Sequence, residues 1–305
     1  RQAYGDTVAA ARLSLILLSF ILVVFFIEKQ SRHKMRFFDL GGEENPTKAR
    51  SELSFMRSAL ALLCCAVPVT LGFVLPLLIL SHMTFQEAFH NTIFKMLQDI
   101  TPYFLNTIIL AFIVSFVGIV LALILAVIKR DSKSKIISIF YQMAGFGYAL
   151  PGVVLGLGLL IVSGSIQTHL GFLVSGSILF LGIGYLVRFL VIPLQGIDAA
   201  FDKISPNIDQ ATQLIRKNKW SEFWHVRLPL LLPSLVSAFL ILFVDIIKEL
   251  PLTLMLRPFD FDTLAIRAYH LAADERLAQA AFPSLIIALA GLIPVLILAR
   301  LIRKA

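Results

Sequence analysis

Charged side chains are scarce in this sequence. Asp, Glu, Lys and Arg together make up 15% of its 305 residues, against roughly 25% in an ordinary soluble domain. Apolar residues make up 58%, and the mean hydropathy is +0.86. A soluble domain of this length buries only about three quarters of its chain surface, so too much apolar surface would remain in water. The composition therefore excludes a soluble enzyme or a disordered chain, and it predicts an all-α, polytopic helical membrane protein.

Cysteines and nucleotide-binding motifs are equally sparse. The two cysteines, Cys64 and Cys65, are adjacent within an apolar run. They supply neither a disulfide framework nor a zinc site, so we expect small buried thiols. No glycine is followed directly by lysine and no HExxH motif occurs, which excludes a Walker A loop and this type of zinc protease. We therefore predict no catalytic residue, no metal site and no cofactor on this chain, and any ATP would bind to a partner subunit.

Seven stretches are long and apolar enough to cross a bilayer, which needs about 20 residues per helix. They are 8–27, 58–81, 104–128, 136–162, 173–194, 235–256 and 283–301. The fourth contains Pro151 and several glycines, so we expect a kinked helix. Gly152 and Gly156 form a pair of small residues four positions apart, which favours close contact between helices.

Lys and Arg are distributed unevenly between the loops. Nineteen lie in the segments 28–57, 129–135, 195–234 and 300–305, whereas the alternate segments hold only five. Because cytoplasmic loops of membrane proteins carry the excess of basic residues, we predict that these four segments and the C-terminus are cytoplasmic. The net charge of +8 follows from this bias, so the expected surroundings are membrane lipid and no nucleic-acid partner is implied.

The first span is similar to the last one. Five residues recur at an offset of 270: Ala10, Ala11, Ser14, Leu15 and Ile16 match Ala280, Ala281, Ser284, Leu285 and Ile286. We interpret residues 1–27 as the last span of a preceding repeat, 28–57 as a cytoplasmic linker rich in turn residues, and 58–305 as a complete six-helix unit. Chance similarity between two apolar helices is the alternative. On this interpretation we expect the chain to be a piece of a longer protein.

The partly polar segment 195–234 has a helical pattern of its own. Its apolar residues recur at helical spacing at Ile208, Ala211, Leu214 and Ile215. A second short helix is predicted from Trp220 onward, ending at Leu228-Pro229, where the next span begins. Such a helix–turn–helix presents apolar side chains that fit a groove on a partner protein. A helix that merely lies on the lipid surface is the alternative.

This segment resembles the coupling loop of type I ABC importer permeases, which docks on the ATPase subunit. The family pattern is Glu-Ala-Ala, three residues, Gly, a short spacer and Leu-Pro. The corresponding residues here are Gln210, Ala211 and Thr212 in the triplet, Arg216 at the glycine position, and Leu228 and Pro229 in the final pair. The spacing matches, whereas the triplet is degenerate and the glycine is absent. The resemblance implies that these residues couple the permease to an ATPase homodimer, which binds the ATP.

A second resemblance narrows the family. The run VDIIKELPLTLMLRPFDFDTLAIRAYHLAADER at 244–276, with GYALPG at 147–152 and YLVRF at 185–189, resembles the second half of fused bacterial ferric-iron-type ABC permeases. In those proteins one chain carries two six-span halves. The resemblance implies a first permease half on the same polypeptide, a periplasmic or lipoprotein substrate-binding protein, and a location in the bacterial inner membrane. It implies ferric iron as cargo, with a thiamine or a phosphonate as alternatives.

Four ionisable residues lie within predicted spans, where each is costly unless it is paired or hydrated. Arg188 lies in the fifth span, and Asp245, Lys248 and Glu249 lie in the sixth. Spacings of three and four residues would place the last three on one helix face. Two interpretations stay open. The residues form structural ion pairs, Asp245–Lys248 or Glu249–Arg188, or they line the translocation path.

The predicted external segment 257–282 interleaves three basic with four acidic side chains. Ferric iron prefers oxygen ligands such as carboxylates, but the interleaved cations disfavour a fixed iron site. We expect Arg257, Asp260 and Asp262 to contribute to a docking surface for the substrate-binding protein, with a plain solvated loop as the alternative.

Two classes of function fit these features: the permease of an ATP-driven importer, and a self-contained secondary transporter or channel. The segment 195–234 favours the importer, because a secondary transporter does not need a helix that docks on an ATPase.

Overall fold

The computed structural model describes residues 54–90, 92–132, 134–171, 173–202 and 219–304, together with Ile16, Ser19, Phe20, Val23 and Ile27. This part of the chain contains helices and no strand. Its α-helices are α1 (Phe55–Val69), α2 (Leu75–His90), α3 (Ile93–Asp131), α4 (Lys135–Ala144), α5 (Gly152–Leu170), α6 (Ile178–Phe189), α7 (Val191–Asp202), α8 (Lys219–Glu222), α9 (Leu228–Ile247), α10 (Pro251–Leu256), α11 (Leu264–Ala273) and α12 (Leu277–Lys304).

Five helical runs within the described ranges are long and apolar enough to span a bilayer: Phe55–Phe89, Ile93–Asp131, Gly152–His169, Phe223–Ile247 and Leu277–Arg300. The pair α6–α7, bent by 45° at its break, counts as a sixth if it is taken as one span. These six correspond to the second to seventh predicted spans, and the all-α membrane fold is confirmed. The predicted span 8–27 is described at five residues only, and the predicted linker 28–57 lies almost wholly outside the described residues.

Two π-helical turns, Thr70–Val74 and Phe223–Arg227, join consecutive helices. Each contains the residue four positions before a proline, Pro76 or Pro229. Because the proline ring clashes with the carbonyl of that residue, a wider turn there accommodates the proline without ending the helix. The prediction that Leu228-Pro229 ends a short helix is therefore wrong. Both residues lie inside one helical run from 219 to 247.

The predicted span 136–162 is wrong as a single kinked helix. α4 ends at Ala144, a 3₁₀ turn covers Phe146–Ala149, and α5 begins only at Gly152. Leu150 is extended, with ψ of 132°, because the residue before a proline is pushed out of the helical region. The spanning helix is α5, and α4 lies outside the candidate spans.

The predicted span 235–256 is interrupted near its end. α9 ends at Ile247, and a break at 248–250 separates it from α10, which begins at Pro251. Proline suits the first position of a helix, where its missing N–H is not needed. Asp245, Lys248 and Glu249 consequently do not share one helix face. Asp245 lies in the last turn of α9, Lys248 is the C-cap of that helix, and Glu249 lies in the break.

The buried apolar side chains of the described chain form two separate clusters. The Tyr185 core consists of Leu110, Ala111, Val114, Leu155, Phe180, Leu181, Tyr185, Phe189, Leu242, Ile246, Ile247, Leu252 and Leu256. The Tyr141 core consists of Ala122, Ala126, Tyr141, Leu194, Ile197, Ala200, Phe201, Leu231 and Leu235. Only α3 and α9 contribute buried residues to both clusters, so these two helices connect the cores.

Helix α1 leaves most of its apolar surface uncovered in the described structure. α1 has no buried residue, while α2 packs against α12. In a bilayer, such apolar surface faces lipid or other membrane helices. Cys64 and Cys65 lie on α1 and are exposed, so the expectation of buried thiols is wrong. An apolar setting in the sequence does not by itself bury a side chain, since no residue of α1 is buried in the described structure.

Candidate functional site

Polar contacts of the bundle are concentrated at three levels along α3. One lies at its C-terminal residue and is called the Asp131 end. Another lies around Asn106 and Thr107 and is called the Arg257 end. These two ends are about 36 Å apart along the helix at 1.5 Å per residue. The third level lies between them, at an ion pair of Arg188 and Glu249.

An ion-pair triad holds the Asp131 end together. Arg227 Nη1 lies 2.9 Å from Asp131 Oδ1, and Arg227 Nη2 lies 3.0 Å from Glu222 Oε1. Glu222 is 4% exposed and Arg227 is 9% exposed. Because a buried charge is strongly unfavourable without a partner, the triad attaches the helical run that begins at 219 to the end of α3.

Lys129, two positions before Asp131 in α3, contacts both α7 and α4. Lys129 Nζ donates to Asp198 Oδ2 at 2.8 Å and lies 3.9 Å from the ring centre of Tyr141. Tyr141 donates its hydroxyl to the carbonyl of Leu194 at 3.2 Å. Burial and the neighbouring Asp198 carboxylate raise the pKa of Tyr141, so its phenol stays protonated as the donor.

The three last residues of α3 thus clamp both sides of the segment 203–218. Lys129 pairs with α7, and Arg130 Nη1 donates to the carbonyl of Phe201 at 2.8 Å, directly before the segment. Asp131 binds Arg227, shortly after it. The sequence signal for this clamp is slight: Asp131 is the one acidic residue in the basic segment 129–135.

Four of the predicted coupling residues, Gln210, Ala211, Thr212 and Arg216, lie outside the described residues. The other two begin α9. Leu228 packs against the Tyr141 core, and Pro229 is exposed. The coupling role of all six stays a prediction.

The four charged residues predicted inside the spans form two ion pairs. Arg188 Nε lies 3.6 Å from Glu249 Oε2, with side-chain exposures of 16% and 8%. Lys248 Nζ lies 2.7 Å from Asp245 Oδ1, and the Lys248 side chain is 62% exposed. Glu249 Oε1 also accepts the N–H of Leu252 at 3.0 Å, which satisfies a donor in the first turn of α10. Both pairs named from the sequence exist, and a role in lining the translocation path stays a prediction.

Glycines let α5 approach its neighbours closely. A Cβ at Gly152 would overlap Arg188 Nη1, and one at Gly156 would lie 2.8 Å from Met255 Cβ. The close helix contact predicted for Gly152 and Gly156 is confirmed. α5 therefore rests on α6 through Arg188 and on α10 through Met255.

At the Arg257 end, polar contacts hold the turn 257–263 against α3. Arg257 forms a close ion pair with Asp262. Asn106 Nδ2 donates to the carbonyl of Asp262 at 3.1 Å, and the N–H of Leu264 donates to Thr107 Oγ1 at 2.8 Å. Two of the predicted docking residues therefore neutralise each other and shape the turn.

The tip of this turn is exposed. Asp260 adopts a left-handed backbone with φ of 61°, which aspartate tolerates better than most residues. Phe259, next to it, is 99% exposed. Phe259 lies in the run 244–276 that resembles the ferric-type permeases, but nothing in the sequence indicates its exposure, because one more apolar residue is inconspicuous in so apolar a chain.

A cavity of about 270 Å³ lies at the same end of the bundle. Its charged lining residues are Glu87, Lys95, Asp99, Arg267 and Arg276. The guanidinium carbon of Arg267 also lies 5.4 Å from the ring centre of Tyr103. The walls of the cavity therefore carry charges of both signs.

Comparison with known proteins gives concordant results. Residues 118–305 match the model of one family, described as the binding-protein-dependent transport system inner membrane component. The Fe(3+)-transport system permease protein FbpB 2 of Haemophilus influenzae is 25% identical over 298 residues, which are 95% of this chain. This chain spans only 56% of the length of that protein.

A second relative is named for the transport of a different solute. The spermidine/putrescine transport system permease protein PotC homolog of Mycoplasma genitalium is 23% identical, over 62% of this chain and 66% of its own length. Among solved structures, a chain of a bacterial alginate ABC transporter in complex with an alginate-bound periplasmic protein superimposes with a TM-score of 0.66. It is 16% identical and covers 81% of this chain and 94% of its own, so it supports the fold alone.

Proposed function

Because this chain belongs to the binding-protein-dependent transport system inner membrane component family, we propose that it is the permease subunit of an ATP-driven importer. It passes a solute from a binding protein to the cytoplasm. The clamp at the Asp131 end carries this proposal: Lys129, Arg130 and Asp131 hold the chain on both sides of the segment 203–218. A segment that transmits force from a partner needs fixed ends, since a loose loop would move without moving the helices.

In this proposal the segment 203–218 docks on an ATPase homodimer at the cytoplasmic face. The ATPase binds the ATP, and this chain supplies no catalytic group and binds no cofactor of its own. The excess of Lys and Arg at the Asp131 end supports this orientation, which also makes the C-terminus cytoplasmic.

The orientation has a direct test. Single cysteines at Ser132 and at Gln167, in a chain whose Cys64 and Cys65 are replaced by serine, are expected to label from opposite sides of the membrane. In intact spheroplasts, an impermeant maleimide should modify the cysteine at 167, and the one at 132 should react only after permeabilisation. Equal labelling of both from outside would contradict the proposed orientation.

The Arg257 end faces the binding protein in this proposal. The turn 257–263 is held against α3 and presents Phe259 and Asp260 at its tip. Exposed aromatic side chains on a fixed backbone are effective anchors, because they bury a large area at little cost in conformational entropy. We propose that Phe259 contributes more to docking than the mutually neutralised Arg257 and Asp262.

We propose ferric iron as the cargo. The resemblance of the run 244–276 to ferric-type permeases supports it, as does the similarity to the Haemophilus protein over 95% of this chain. A first permease half, on the same polypeptide as in fused permeases, completes the translocation path. The similarity to a polyamine permease homolog makes another small solute the second candidate.

Reconstitution tests both parts of this function. The full-length permease is placed in vesicles with its ATPase and its binding protein, and uptake of ferric iron is compared with that of spermidine, thiamine and 2-aminoethylphosphonate. We expect uptake of ferric iron that requires ATP and the binding protein. ATP-dependent uptake of another solute alone would overturn iron as cargo. Uptake without ATP, driven by the solute gradient, would overturn the importer in favour of a secondary transporter.

A further inference from the structure

Three interruptions of the helical bundle meet at the Arg188–Glu249 pair. They are the stretch 145–151 between α4 and α5, the bend at Leu190 between α6 and α7, and the break 248–250 between α9 and α10. Arg188 lies two residues before the bend, and Glu249 lies within the break. The first interruption ends at Gly152, where a Cβ would overlap Arg188 Nη1.

The first two interruptions also lie on the boundary between the two cores. α4 and α7 contribute buried residues to the Tyr141 core, whereas α5 and α6 contribute to the Tyr185 core. The chain therefore passes from one core to the other at 145–151 and again at Leu190. α3 and α9 run across this boundary unbroken, whereas α4, α5, α6 and α7 each begin or end there. Since packed cores deform little and hinges lie at the ends of elements, the boundary can bend at these helix ends.

Two polar links join α6 to α10 on the Tyr185 side of the boundary. One is the ion pair between Arg188 and Glu249. The other begins at the Thr253 hydroxyl, which donates to the carbonyl of Glu249 at 2.8 Å. Because that bond uses the one hydroxyl proton of Thr253, Thr253 Oγ1 accepts a hydrogen bond from the Tyr185 hydroxyl, which lies 2.5 Å away. With the Gly156 contact to α10, these links make α5, α6 and α10 one unit, called the three-helix unit.

The ion pair is held by charge more than by hydrogen bonds. The separation of 3.6 Å exceeds a hydrogen-bond length. Within the described part of the chain, Arg188 Nε and Nη1 are buried and have no hydrogen-bond acceptor. Because attraction between charges depends weakly on angle, the pair tolerates a small rotation without separating.

We infer that the boundary between the two cores is a hinge for the transport cycle, and that Arg188 and Glu249 are positioning residues that keep the three-helix unit together as it moves. This inference rests on the proposed function, because it requires an ATP-driven cycle. The turn 257–263 follows α10 directly, and the segment 203–218 follows α7. A signal between the binding-protein face and the ATPase face therefore crosses this hinge.

Distances between spin labels test the hinge. One label pair crosses the boundary, at Ile136 of α4 and Ile161 of α5, and a second lies within the three-helix unit, at Ile161 and Leu179 of α6. All three positions are exposed. Between the nucleotide-free and the vanadate-trapped complex, we expect the first distance to change by about 5 Å, the scale of a one-turn shift. The second should stay constant. An unchanged first distance in a complex that transports would overturn the hinge.

Uptake per ATP hydrolysed tests the two positioning residues. We expect Glu249→Gln to lower this ratio about tenfold, while Arg188→Lys, which keeps the positive charge, retains most of it. A pair that only stabilises the fold would lower the amount of folded protein and leave the ratio unchanged. That result, in all variants that fold, would overturn the positioning role.

A glycine variant covers the case in which Glu249→Gln does not fold. Gly152→Ala keeps both charges and pushes a methyl group against the Arg188 guanidinium. The matched control is Gly158→Ala on the same helix, where a Cβ meets nothing within 4 Å. We expect the ratio to fall in the first variant only, and equal ratios would overturn the inference. Absence of wild-type uptake would instead mean that the proposed function is wrong.

Discussion

Replacing Gly147 by alanine is expected to lower the free energy of unfolding by about 3 kcal/mol, the upper range for overpacking. Gly147 is buried in the 3₁₀ turn between α4 and α5, and a Cβ there would overlap the carbonyl oxygen of Val187. That obstacle is backbone, so it cannot rotate away and α6 would have to shift. In thermal unfolding of the purified protein, we expect a midpoint about 5 °C lower than that of the wild type.

Gly158→Ala is the control for this measurement as well. The added methyl group enters open space within α5, and alanine favours a helix over glycine by about 1 kcal/mol. We expect a midpoint equal to or slightly above that of the wild type. If the alanine variants at 147 and 158 unfold at the same temperature, the turn does not pack on α6 as described.

Removing the Arg227 guanidinium is expected to uncouple transport from ATP hydrolysis. Breaking a buried ion pair costs about 3–5 kcal/mol, because the remaining charge keeps its desolvation cost. In Arg227→Gln, the buried Glu222 and the end of α3 at Asp131 both lose this cation. The start of the helical run at 219 then loses its ionic attachment to the end of α3, while α9 still packs against α3. We expect stimulation of the ATPase by loaded binding protein to fall about tenfold in reconstituted vesicles.

Two further variants make that result specific. Arg57→Gln removes one exposed arginine at the start of α1 and changes the net charge equally, so stimulation should stay at the wild-type level. Arg227→Lys keeps a positive charge but cannot bridge two carboxylates with a planar fork, so an intermediate value is expected. Full stimulation in Arg227→Gln would contradict a role of the clamp in coupling.

The number and approximate place of the described membrane helices could be predicted from the sequence. Transfer of a helix into lipid depends on the summed hydropathy of its own residues, which the sequence states directly. The predicted spans 58–81 and 104–128 accordingly lie within Phe55–Phe89 and Ile93–Asp131. The predicted span 283–301 lies within α12, Leu277–Lys304.

The effect of each proline could not be predicted in the same way. Pro68, Pro102, Pro233, Pro283 and Pro294 lie inside helices, whereas Pro151 and Pro251 precede or begin new ones. A proline frees the carbonyl of an earlier residue and lacks an N–H, and the helix continues or ends according to what surrounds it. At Pro251, Glu249 meets Arg188 from another helix and accepts the N–H of Leu252, which stabilises the break.

The sequence by itself determined that this chain is a helical membrane protein with its basic residues biased to one set of loops, because hydropathy and charge are properties of single residues. Only the tertiary structure decided which charges meet. Asp131 and Arg227 are 96 positions apart, and their partnership follows from the packing of α3 against α9. The attraction between charges depends on distance in space, which sequence spacing reports only within one helix, and the helix assumed for Lys248 and Glu249 ends at Ile247.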